Sequence, residues 1–252
     1  MIKAQQSTHS DSKLDYFFKK NKHLILACLM LLAAYIGFQA FLLMMADIKA
    51  YQAKRMIIRW ETNNQISSQK DLDYAYHAIQ SARWYAKDYP DFIAYEALIY
   101  KWHASTPEYL ESNEQRHQLL KKALTLYVEE IKQRPTWPYA WSSYANTKML
   151  LNEIDDEFTF AMNKAFYYGS WESQIQLEII NTGLDAWPKL QHETKRLIFK
   201  TYSYAFQGNK FMKDIVQKAD DNNIFNLICL MPDKDKYQTY IQKKCDKALA
   251  AR

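Results

Sequence analysis

Residues 24–46 read LILACLMLLAAYIGFQAFLLMMA, 23 positions without a charge and with Gln39 the only strongly polar side chain. At 1.5 Å rise per residue a helix over this stretch is about 34 Å long, enough to cross a hydrocarbon core of about 30 Å with some tilt. The apolar region of a secretory signal is usually about 7–15 residues and ends in a small-x-small cleavage site. The residues before Asp47 lack such a site. The stretch is therefore read as an uncleaved transmembrane helix.

That helix divides the chain into a short arm, 1–23, a polar linker, 47–70, and a domain over 71–252. Lysine and arginine do not decide the orientation by number: Lys13, Lys19, Lys20 and Lys22 precede the helix, and Lys49, Lys54, Arg55 and Arg59 follow it. A large domain is translocated largely regardless of its charge, so the expectation is a cytoplasmic arm and an exported domain. In a bacterium this means the inner membrane and the periplasm. Cys28 falls within the span, which leaves Cys229 and Cys245 as the cysteines of the domain. They are a possible disulfide in an oxidising compartment, or equally two buried thiols.

With 48% hydrophobic residues, 19 Tyr and 7 Trp, the chain has ample material for a core. Its net charge of +5 is spread along the chain, unlike the concentrated basic stripe of a nucleic-acid binder, so nucleic acid is not an expected partner. Apolar residues recur at i, i+3, i+4 and i+7, glycine is scarce, and no alternating β-branched run interrupts them. The expected class is all-α, with helices at 71–88, 91–105, 112–133, 138–152, 155–168, 172–183, 191–206, 210–220 and 234–250. Pro90, Pro107, Pro135 and Pro188 punctuate these segments, and Gly169, Gly183 and Gly208 suit helix C-termini.

The helices carry a degenerate repeat. Ala78, Ala82, Tyr85 and Pro90 have the spacing of Ala123, Tyr127, Glu130 and Pro135, and Ala161, Ala165 and Tyr168 repeat part of it. Small residues where two helices cross let the backbones approach, with aromatics filling the wider gaps. This predicts a tetratricopeptide-like array of antiparallel helices, although the offsets between units exceed the usual period of about 34 residues.

Motifs of catalysis are not what the sequence offers. It has no phosphate-cradling glycine loop, no H-E-x-x-H and no paired C-x-x-C, and none of the six histidines is i+3 or i+4 from another. No cofactor or metal is expected. Asp155, Asp156 and Glu157 read as a helix N-terminus rather than a glycosidase pair, since adjacent helical positions do not face each other. Glu129 and Glu130 read as a solvated face. The C-terminal run from Asp233 to Arg252, including Lys234, reads as a solvated basic helix. In the aromatic stretch RPTWPYAWSSYA, Trp141 and Tyr144 share a core face, whereas Tyr139 lies with Ser142, Ser143 and Asn146 on a polar surface.

Three blocks, Arg134-Pro135-Thr136-Trp137-Pro138-Tyr139-Ala140-Trp141, Gly169-Ser170-Trp171-Glu172 with Gln176-Leu177, and Gly183-Leu184-Asp185-Ala186-Trp187, together resemble the VpsP-type proteins. These are membrane-anchored accessory proteins of bacterial exopolysaccharide biosynthesis. Ser170 stands where that pattern commonly has proline. The resemblance implies a non-enzymatic scaffold for assembly or export of exopolysaccharide or capsule, with protein components of that machinery as partners. It supplies no catalytic residue. The alternative is direct polysaccharide binding, for which Trp137, Tyr139 and Trp171, with Glu172 beside them, are the candidate contacts.

Overall fold

The computed structural model describes residues 8–108, 113–231 and 235–250, and every element in it is helical. Helix α1 runs over Thr8–Asn63. It is followed by α2 (Gln69–Tyr85), α3 (Pro90–His103), α4 (Asn113–Gln133), α5 (Pro138–Leu150), α6 (Asp156–Gly169), α7 (Ser173–Asp185), α8 (His192–Ala205), α9 (Met212–Asp221), α10 (Phe225–Ile228) and α11 (Thr239–Ala250). One turn of 3-10 helix, Trp187–Lys189, joins α7 to α8.

The starts and stops have local causes. Ser68 and Asp155 cap α2 and α6, accepting from the backbone N–H groups of Asp71 at 3.2 Å and Phe158 at 2.9 Å. Pro90 and Pro138 open α3 and α5, where a missing N–H costs no helical bond. Asparagine, not glycine, closes helices in the left-handed conformation: Asn64, Asn152 and Asn223 have φ of 52°, 63° and 57°. After each, the next N–H bonds back to a carbonyl of the preceding turn, as in Glu153 to Lys148 at 2.9 Å.

α1 is long and apolar enough to cross a membrane, and its apolar window is unburied by the rest of the chain. Beyond that window the expected polar linker is corrected. Residues 47–63 continue the same helix and form half of the first hairpin, with Ala46, Ala50, Ala53, Ile57 and Trp60 buried against Leu72, Ala75, Ile79 and Ala82 of α2. The small residues fall on one stripe and let the two backbones close, while Lys54, Arg55 and Arg59 occupy the outer face, so a polar reading of the stretch sees only that face.

The same pairing recurs. α3 packs on α4, α5 on α6 and α7 on α8, and each pair leans on the next through α2 to α3, α4 to α5 and α6 to α7. Ala123, Ala161 and Ala165 are buried at these crossings. Gly183 lies within α7 rather than at its end, because Ile198 of α8 crosses there: a Cβ would come within 2.2 Å of the Ile198 Cδ1. Gly169 does close α6, with a right-handed backbone, and its lack of a side chain admits Pro138.

α9 to α11 cover the far end. The short α10 was unforeseen, and the last helix starts at Thr239, five residues after the expected start at Lys234, a position outside the described residues together with Asp233 and Arg252. The sulfur atoms of Cys229 and Cys245 are bonded, with Cα atoms 5.3 Å apart, which ties α11 to the end of α10.

Candidate functional site

The first helices of the four hairpins, the distal part of α1 with α3, α5 and α7, turn polar side chains toward one another. α1 contributes Glu61 and α3 Lys101, while Ser142 and Asn146 from α5 and Gln174, Glu178 and Thr182 from α7 follow one another at i+4. The Lys101 ammonium donates to Asn146 Oδ1 at 2.7 Å and stands 5.8 Å from the centre of the Tyr127 ring. Asn146 donates in turn to the Thr182 hydroxyl at 3.2 Å. Ser142 donates to the Glu178 carboxylate, whose other oxygen accepts from Gln174 at 3.3 Å. One ladder of hydrogen bonds thus crosses three hairpins.

At one end this polar seam opens into a cavity of about 660 Å³. Glu61, Gln65 and Ile66 from the end of α1 and the turn after it, Lys101 and Trp102 from α3, and Asn146 from α5 are among its lining residues. The arrangement combines apolar surface with a few convergent polar groups, the composition of a binding cleft. Burial pushes the Lys101 ammonium down to about 8, against the opposing pull of Glu178 and Glu61. Burial likewise raises the carboxyls of Glu178 and Glu61. Among the described residues no carboxylate lies within ion-pair distance of Lys101, whose ammonium is held by neutral Asn146 and lines the cavity with its charge only partly compensated.

The sequence-expected residues divide. Trp137 is exposed and Tyr139 half-buried, with ring centres 5.4 Å apart and planes inclined at 38°, while Arg134 lies 5.1 Å from the Trp137 ring centre. Trp171, exposed in the turn before α7, makes no ring contact with either. Glu172 is the N-cap position of α7 but its side chain makes no capping bond. These residues do not form one flat platform.

Two readings of charged and polar faces are corrected. The side of α5 bearing Tyr139, Ser142, Ser143 and Asn146 is not outer surface: Ser142 is buried and Asn146 is half-buried, because that side faces α3 and α7. Glu129 and Glu130 are not simply solvated either. Glu129 pairs with Arg83 at 2.8 Å, and buried Glu130 pairs with Arg134 at 2.6 Å, while Arg134 also reaches Asp91 at 2.6 Å. Trp141 and Tyr144 pack at the rim of the core, with the Trp141 indole N–H donating to the Pro135 carbonyl at 2.8 Å.

Asp155 is a cap, and its second oxygen joins Glu157 around the buried ammonium of Lys148 at 2.8 and 2.9 Å. Sequence reasoning missed Lys101, Glu61 and Glu178. Their signal was weak: Lys101 and Asn146 lie 45 residues apart, the offset between the first two repeat units.

The chain matches no protein-family model, no curated protein and no solved structure. Among the described residues, the class its own features define is an all-helical protein with one helix long and apolar enough to span a membrane.

Proposed function

We propose that this chain is a membrane-anchored, tetratricopeptide-like scaffold that holds a partner protein in the polar cleft of its inner helices, acting without catalysis in bacterial exopolysaccharide or capsule assembly and export. The observation that carries the binding reading is the Lys101–Asn146–Thr182 ladder ending in a cavity that displays an incompletely compensated ammonium. An extended segment or helix end bearing a carboxylate or free carbonyls complements such a cleft. The repeat reading is supported by the order of helix pairs and by alanines buried at the crossings.

The polysaccharide context rests on the three sequence blocks, in which Trp137 and Trp171 stand just before α5 and α7. The inner-membrane location, with the arm cytoplasmic and the domain periplasmic, is supported by the apolar helix and by the Cys229–Cys245 bond, which persists in oxidising compartments. Anchoring raises the partner's effective concentration, so modest affinity suffices.

Affinity purification of the tagged full chain from detergent-solubilised membranes tests this reading. Recovery of a polysaccharide polymerase, exporter or glycosyltransferase is expected, with Lys101→Glu reducing recovery at least tenfold. Equal recovery by the variant, or recovery of no envelope protein, contradicts it.

A further inference from the structure

The domain begins before the apolar span has ended. Ala46, the last residue of that span, is fully buried within the first hairpin, while Leu43 and Met44 just before it are exposed. No spacer therefore separates the helical domain from the level at which α1 leaves the hydrocarbon. α2 runs back along α1 and ends beside this level: Trp84 and Tyr85 line the same shallow groove as Lys49, only three residues beyond Ala46. Three residues of helix rise about 4.5 Å.

The turn from α2 to α3 presents unusual side chains there. Trp84 is 78% exposed, its ring edge-on to Tyr85 at 4.7 Å, and Tyr89 is exposed where α3 begins. Tyr51, also exposed, stands about one and a half turns above the span. The row continues along one edge of the stack, since Arg134 bonds to Asp91 at the start of α3 and stacks on Trp137. Tryptophan and tyrosine prefer the headgroup zone of a bilayer, where an apolar ring and a polar N–H or O–H are both accommodated. Charge gives no comparable pull, because Asp47 and Asp88 offset Lys49 and Lys87 at this level.

We infer that the α2–α3 tip, through Trp84, Tyr85 and Tyr89, is seated in the lipid headgroup interface, so that the domain stands on the bilayer at a fixed angle instead of swinging on a tether. The occupant of this surface is lipid because the patch is continuous with the exposed apolar face of α1. One consequence concerns the cleft. Its mouth is formed by the far ends of α1, α3 and α5, and α1 climbs from Ala46 to Asn63 over about 26 Å. A partner is met at that height above the membrane.

The inference rests on the anchor reading, and one experiment separates the two. The full chain is reconstituted into zwitterionic phosphatidylcholine vesicles whose acyl chains are brominated near the glycerol end, floated on a density gradient, and its tryptophan emission is measured. None of the seven tryptophans lies within 24–46, so quenching reports the domain. Flotation with strong quenching is expected, with Trp84→Phe losing at least half of the quenchable emission and Trp187→Phe, at the opposite ends of the helices, losing almost none. Equal quenching in the two variants, or floated protein without quenching, overturns the seating while leaving the anchor intact. Protein that does not float overturns the anchor, and the seating with it.

Discussion

Glu130 is a carboxyl in the wrong place for a charge, and its neighbours only partly repair this. Burial raises it to about 7 even though Arg134 donates to it. A carboxyl whose folded value exceeds its unfolded one binds a proton more readily in the fold. Its contribution is therefore fully present at low pH and is lost as pH rises from about 4.5 through 7, by at most about 1.4 kcal/mol per unit. Chemical denaturation of the wild type at pH 5.5 and 7.5 should show this loss, and Glu130→Gln should flatten it. Lys101 runs the other way, as a base held low: its ammonium is present below about 8 and disappears above it. Partner binding that depends on Lys101 should weaken as pH rises from 7 to 9, and a binding isotherm that is flat over that range would separate the charge from the contact. At Gly169 the constraint is steric. A Cβ would stand 2.7 Å from the Cβ of rigid Pro138, so Gly169→Ala should cost about 1–3 kcal/mol in thermal denaturation, whereas Gly208→Ala, where a Cβ would meet only Gln238 Nε2 at 3.8 Å, should cost far less.

At the scale of elements, the first hairpin shows what the boundary between anchor and domain means. Because Ala50, Ala53, Ile57 and Trp60 complete the core of α2, a chain beginning at residue 47 should remain monomeric and cooperatively folded. One beginning at residue 71 should expose Leu72, Ile79 and Ala82 and aggregate, which size-exclusion chromatography would reveal. The disulfide acts on a different element. It closes a loop across a sequence separation of 16, and removing such a constraint costs about 3 kcal/mol in chain-entropy terms. Cys245→Ser should therefore loosen α11 in hydrogen exchange and leave α2 to α6 protected. The helices themselves were legible in the sequence, since prolines at the starts of α3 and α5, Asp155 as a cap and the period of apolar residues are all local signals. The polar face of α5 was not, because whether a serine faces water or a neighbouring carboxylate depends on α7, 36 residues later. The linker reading failed for the same reason: a narrow alanine stripe flanked by arginines looks polar until the partner helix is known. α10, a single short turn with no cap, left no signal of its own.

The whole molecule joins an apolar helix, a stack of helical pairs that begins within it, and a polar cleft opening at the far end. The continuous α1 sets the distance of the cleft from the apolar span, and a seated α2–α3 tip would set its direction. On the proposed function, the cleft is where a partner of the polysaccharide machinery is held. A photo-crosslinking amino acid placed at Ser105, exposed at the cavity, and separately at Thr125, exposed on α4 away from it, tests this in living cells. The proposed function predicts a discrete adduct with an envelope polysaccharide-assembly protein from position 105, lost on Lys101→Glu and absent from position 125. Equal adducts from both positions, or none from position 105 in cells that export polysaccharide, would contradict it.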